Sequence, residues 1–124
     1  MSVSKATPVA VIGAGAWGTA LAWLVAGKGE GVRLWVFEAA VAAEIASTRE
    51  NRTYLPGIRL PESLEATTSL ADAVRGAESL IFAVPSHAAA GVLAHVAPLL
   101  EPEVPIISAT KGIETERLRV MSAL

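Results

Sequence analysis

The 124-residue sequence contains no cysteine, which excludes a disulfide framework, a thiolate metal site and a cysteine nucleophile. The same absence fits a reducing compartment, and the expected location is the cytoplasm. Aromatic residues make only 5% of the chain, with a single tyrosine, Tyr54, and three tryptophans. Lysine occurs three times, and the net charge of -2 arises from interspersed signs, so there is no basic footprint for nucleic acid and no polybasic arm for anionic lipid. The two histidines, His87 and His95, have no partners at metal-ligand spacing. There is no internal repeat and no low-complexity tract. The uncharged stretch from Ala6 to Gly27 is long enough to suggest a signal peptide or a membrane span, but its glycines at 13, 15, 18 and 27 interrupt it. It reads better as a buried strand, a glycine turn and a helix, so no membrane span is expected.

What the chain has in excess is apolar character, 52% of its residues, implying elements covered on more than one face. Val9 to Ile12 is a short apolar run of the kind buried in a parallel sheet, and Ala16 to Lys28 then reads as a helix stopped by Gly27 and Gly29. A second strand is expected over Val32 to Phe37 and a second helix over Ala39 to Thr48, completing a strand-helix-strand unit. Arg49 to Ser63 breaks this rhythm with Pro56-Gly57 and Pro61, and its length predicts an ordered functional loop. Beyond it come a short strand from Leu64 to Thr67, a short helix from Ser69 to Arg75 with Ser69 as N-cap, and a strand from Leu80 to Val84. A helix from Ala88 to Leu100, a strand from Pro105 to Ser108 and a final helix opening at Glu114 or Thr115 complete the order. This alternation predicts an α/β fold of Rossmann type, a doubly wound parallel sheet in three layers, with residues 1–124 forming one domain.

Ligands of such sheets bind beyond the carboxyl ends of the strands, and every unusual residue here falls at such an end. "GAGAWG", Gly13 to Gly18, is G-x-G-x-x-G between a strand and a helix. Gly13 permits the tight turn, Gly15 lets a pyrophosphate approach the backbone, and Gly18 lets helix and strand pack closely. Glu38 stands about twenty residues further on, where a carboxylate accepts hydrogen bonds from a ribose 2′-hydroxyl and repels a 2′-phosphate; the plainer alternative is a solvated charge opening the next helix. Phe82 and Pro85 in "FAVPSH" are candidates to wall a nicotinamide ring, or else a core phenylalanine and a strand-stopping proline. Both histidines read as structural or exposed. Lys111, in "SATKGIE", follows the fifth strand, where a lysine can hold an anionic substrate or polarise a carbonyl; the plainer alternative is a surface charge.

Taken in order, "VIGAGAWGTALA", "LW", "RTYLPGIRLPESL" with its preceding asparagine, "AVPS" and "SATKGIE" resemble the NAD(P)-dependent glycerol-3-phosphate dehydrogenase family from about Val11 to the C-terminus. The resemblance implies reversible hydride transfer between sn-glycerol 3-phosphate and dihydroxyacetone phosphate with NAD or NADP, feeding phospholipid synthesis. It further implies that Ala16 and Trp17 line the cofactor at the glycine turn, that the long loop brings Tyr54 toward it, and that Lys111 touches both cofactor and substrate. Many members carry arginine or histidine where Phe37 and Glu38 stand, suited to an NADP 2′-phosphate. Here the pair favours NAD, with Phe37 placed to stack beside the adenine.

Members of the family are more than twice this length, so the chain is expected to be a truncated coenzyme domain. The helical domain that carries the general acid-base lysine and most phosphate contacts is then absent from it. Turnover by this chain alone is expected to be absent or trace, and an uncovered apolar face predicts self-association, most simply as a homo-oligomer. The competing readings are a stand-alone dinucleotide-binding or sensing module, which would not need Lys111, and a related hydroxyacid or ketopantoate reductase, against which "YLPG" and "ATKG" argue.

Overall fold

The computed structural model describes residues 8–109. Lys111 and the expected final helix therefore lie outside the described residues. Five strands form one sheet in the order β3-β2-β1-β4-β5: β1 (Val9–Ile12), β2 (Val32–Trp35), β3 (Leu64–Thr67), β4 (Ser79–Phe82) and β5 (Ile106–Ser108). All four pairings are parallel, with Val11 opposite Leu34 on one side and opposite Ile81 on the other. Among the described residues the α-helices are α1 (Ala16–Ala26), α2 (Ala39–Thr48), α3 (Leu70–Val74) and α4 (Ser86–Val96).

Strand side chains alternate between faces, and the two faces are covered by different helices. Val11, Val32, Leu34 and Leu64 pack with Ala22 and Ala26 of α1 and Val41 and Ile45 of α2. On the other face Ala10, Ile12, Leu80 and Phe82 pack with Ala73 and Val74 of α3 and Ala89 and Val96 of α4. This is the expected three-layer, doubly wound arrangement. The order of the strands reverses direction at β1, so the crevice between the ends of β1 and β4 is the switch point where ligands of this architecture bind.

Several boundaries differ from those expected from the sequence, each for a local reason. β2 ends at Trp35, although the Val36 N–H still donates to the Thr67 carbonyl at 2.8 Å; Phe37 leaves the sheet. α4 begins at Ser86 instead of Ala88, because Pro85 has a locked φ and serves as its N-cap. The same helix ends at Val96, since Pro98 has no N–H to give to the preceding turn, and the chain tightens into a 3-10 turn over Ala97–Leu99. Ser69 caps α3 as expected, its Oγ accepting from the Asp72 N–H at 3.1 Å. Arg33 of β2 then braces that helix by donating to the carbonyls of Asp72 and Arg75.

Phe82 is among the largest fully enclosed side chains, with 2% of its surface exposed. Its truncation in Phe82→Ala is expected to cost about 3–5 kcal/mol of unfolding free energy. Phe37→Ala, at a residue 78% exposed, is expected to stay within about 0.5 kcal/mol of the parent chain. Denaturant unfolding of the two variants checks both.

Candidate dinucleotide site

The glycine turn is shaped by two close approaches. Gly13 has φ +116°, and a Cβ there would lie 2.7 Å from the Ala83 carbonyl oxygen of the segment after β4. A Cβ on Gly18 would lie 1.9 Å from the Gly13 carbonyl oxygen, so only glycine lets α1 start this close to β1. Gly15 is different, because a Cβ there meets nothing within 4 Å, and its backbone, φ -70° and ψ -170°, is open to any residue. Neither folding nor local geometry therefore requires glycine at position 15. Gly15 is also the N-cap of α1, which has no side-chain cap and no acidic residue in its first turn. The chain leaves the positive end of this helix unneutralised, beside a space that a side chain would occupy. These residues fit the pyrophosphate of a dinucleotide.

Glu38 is the N-cap residue of α2, yet its side chain makes no cap hydrogen bond. The carboxylate instead accepts from the Tyr54 hydroxyl, Oη to Oε2 2.5 Å. Phe37 beside it is exposed and meets Trp35 edge to face, ring centroids 6.1 Å apart. The Glu38 hydrogen bond, with its negative charge, pushes the Tyr54 phenol above its ordinary range.

Tyr54 reaches this position because the long loop is ordered from its base. Asn51 is completely buried; its Nδ2 donates to the Ala14 carbonyl at 3.0 Å and to Thr19 Oγ1 at 2.9 Å, while Oδ1 accepts from the Tyr54 N–H at 3.1 Å. Thr19 Oγ1 in turn donates to the Ala14 carbonyl at 3.1 Å. Every buried polar group in this knot has a partner, as burial demands. Arg49, in the left-handed region at φ 60°, turns the chain out of α2 and donates from Nη2 to the carbonyls of Pro61 and Leu64. Glu50 accepts from the Gly57 N–H at 2.7 Å, which holds its carboxyl below the usual range.

The remaining candidates divide. Trp17 and Ala16 are exposed at the start of α1, and the Trp17 indole N–H donates to the Ala109 carbonyl, drawing the glycine turn to the end of β5. Lys111 follows Ala109 by two residues in sequence, outside the described residues. Phe82 corrects the expectation of a ring wall, since its side chain lies in the core beneath the sheet. Pro85 is exposed at the head of α4, and His87 and His95 are both exposed. A depression of about 310 Å³ lies away from all of these, between Arg33, Glu65, Asp72 and Arg75. Its arginines are already engaged, Arg33 by carbonyls and Arg75 by Asp72. Asn51, Thr19 and Arg49 went unassigned in the sequence; Asn51 stands in the resembling stretch, but nothing in its spacing signals that it is buried.

Among known proteins, the model of the NAD-dependent glycerol-3-phosphate dehydrogenase N-terminus matches residues 8–124. The chain is 48% identical over 113 residues to the NAD(P)+ glycerol-3-phosphate dehydrogenase of Geobacter sulfurreducens, covering 91% of this chain and 34% of that protein. It is 49% identical over 120 residues to the enzyme of the same description from Desulfotalea psychrophila, covering 96% of this chain and 35% of the relative. The glycerol-3-phosphate dehydrogenase structure from Coxiella burnetii superposes with a TM-score of 0.82 at 38% identity, covering 86% of this chain and 33% of that one. The chain thus spans about a third of the length of the relatives it matches.

Two outcomes follow from this geometry. Gly15→Ala is expected to leave the unfolding midpoint unchanged or slightly raised while weakening dinucleotide binding at least about tenfold, whereas Gly18→Ala is expected to lose about 3 kcal/mol or more of stability. Thermal melts and binding titrations on the two proteins separate these effects. Because Tyr54 is the single tyrosine, tyrosinate absorbance reads it alone. Its midpoint is expected above the ordinary value of about 10 and to fall toward it in Glu38→Gln. The associated stabilisation is present below the ordinary phenol pKa and is lost as pH rises through the raised one.

Proposed function

We propose, from the premise that the chain belongs to the NAD-dependent glycerol-3-phosphate dehydrogenase family, that residues 8–109 hold the adenosine and pyrophosphate half of a nicotinamide dinucleotide. The observation that carries this reading is the convergence at one sheet edge of an unfilled glycine cradle at Gly15 and an exposed Glu38 carboxylate that takes no part in capping its helix. The N–H groups at the head of α1 take the pyrophosphate charge, Glu38 accepts from the ribose hydroxyls, and Phe37 offers an exposed ring to the adenine. A fixed carboxylate at that point repels a 2′-phosphate, so the preferred cofactor is NAD.

The reaction served is reversible hydride transfer between sn-glycerol 3-phosphate and dihydroxyacetone phosphate. The bound nicotinamide supplies or accepts the hydride. Lys111, in the "ATKG" element, is assigned to contact both the dinucleotide and the anionic substrate, whose carbonyl it polarises; general acid-base work and most phosphate contacts are assigned to other residues of the longer family members. On this reading residues 1–124 are a coenzyme-binding domain in a cytoplasmic enzyme of lipid precursor synthesis. No helix among the described residues is long and apolar enough to cross a membrane.

The reading also includes self-association. Trp17, Leu24, Leu99 and Ile107, which come from different elements, are each more than two-fifths exposed, which favours association of this chain into a homo-oligomer. Sedimentation at rising protein concentration is expected to detect it, and a strict monomer at the highest concentration argues against it.

Calorimetric titration with NADH and NADPH tests the central reading. Binding of NADH in the range of about 1 µM, tighter than NADPH, is expected, with Lys111→Ala weakening it about tenfold. Tighter binding of NADPH contradicts the role given to Glu38, and an unchanged affinity in Lys111→Ala contradicts the role given to that lysine.

A further inference from the structure

The loop from Arg49 to Ser63 is attached to both halves of the dinucleotide site. At its base, buried Asn51 is bound to the Ala14 carbonyl inside the glycine turn and to Thr19 of α1. Three residues later Tyr54, whose N–H is held by Asn51 Oδ1, gives its hydroxyl to Glu38 at the head of α2. The Leu55 N–H also donates to the Asn51 carbonyl, at 2.8 Å, so the backbone on both sides of the tyrosine ring is tied to the same buried residue. A continuous line of hydrogen bonds therefore runs from the phosphate-binding turn, through Asn51 and Tyr54, to the ribose carboxylate.

We propose that Tyr54 is a positioning residue that sets cofactor specificity through Glu38. An exposed glutamate at a helix N-cap, without a partner, distributes over several rotamers and spreads its charge into solvent. Here the phenol occupies Oε2, and no donor among the described residues occupies Oε1. A carboxylate retains acceptor capacity after one such bond, so Oε1 remains for the ribose hydroxyls. The hydroxyl thereby fixes where the negative charge stands. A 2′-hydroxyl meets an acceptor already in place, and a 2′-phosphate meets a charge that cannot swing aside. This rests on the dinucleotide reading above, and assigns to Tyr54 a task distinct from touching the cofactor with its ring.

Calorimetric dissociation constants for NADH and NADPH are measured on the parent chain, Tyr54→Phe, Glu38→Gln and the double variant. Tyr54→Phe keeps the ring and removes only the hydroxyl. It is expected to bind NADH within about threefold of the parent while the NADPH-to-NADH ratio of dissociation constants falls about tenfold. Glu38→Gln is expected to lower the ratio at least as far, and the double variant no further, because the hydroxyl acts only through the carboxylate. A Tyr54→Phe protein that keeps the full ratio overturns the proposal, as does a double variant in which the two losses add. Failure of the underlying reading looks different: the parent chain itself then binds neither dinucleotide, or binds NADPH at least as tightly as NADH, and the proposal falls with it.

Discussion

The contact on which this molecule depends is the one between the two outer glycines of its first turn. α1 can start directly behind β1 only because Gly18 faces the Gly13 carbonyl with no Cβ between them, and because Gly13 itself lies against Ala83 beyond β4. That approach fixes three things together: the packing of α1 on its face of the sheet, the width of the crevice between β1 and β4, and the direction in which the head of α1 points. A side chain at Gly18 would push the helix away from β1, and one at Gly13 would strike the Ala83 backbone beyond β4. The middle glycine bears no such load, since a Cβ there would meet nothing within 4 Å.

A second constraint is polar and works through satisfaction of buried groups. Placing Asn51 in the interior would leave four hydrogen-bonding positions of an amide without water, at a cost of roughly 1–3 kcal/mol for a group left unpaired. The Ala14 carbonyl, the Thr19 hydroxyl and the Tyr54 N–H fill three of these four positions, both donors and one acceptor site. The result is that a loop rich in proline and glycine, which has no helix or strand beyond a bridge between Asn51 and Leu55, is held against the glycine turn. Its order comes from one buried side chain at its base, Arg49 against the carbonyls of Pro61 and Leu64, and Glu50 against the Gly57 N–H.

What was legible in the sequence follows from which physical rule applied locally. β1 and β3 have the bounds expected for them. β1 is an apolar run closed by Pro8 and Gly13, which admits few other readings, whereas β3, Leu-Glu-Ala-Thr, is bounded mainly by the loop before it and the Ser69 cap after it. The N-cap at Ser69 was legible because a hydroxyl two residues before Ala71 has a specific donor to serve. The start of α4 was not, since a proline after a strand signals a stop equally well whether or not it also opens a helix, as Pro85 does here. Within the candidate site, spacing alone singles out Gly13, Gly15, Gly18 and Glu38, and the structure adds that a Cβ at Gly13 or Gly18 would clash while one at Gly15 would not. Phe82 was not assignable, because the same strand position can face the core or the crevice and only the register against Ile12 decides it. Asn51 and the Tyr54 to Glu38 bond were beyond reach from the sequence, since both join segments through a loop whose path no periodicity encodes.

The most direct test of the account is to follow the backbone amide resonances of this chain as NADH is added. The account predicts the largest shifts at Gly13 to Gly18, at Phe37 and Glu38, and at Asn51 to Tyr54, moving together with a single saturation curve. Shifts centred instead on Arg33, Glu65, Asp72 and Arg75, with the glycine turn unmoved, would contradict it.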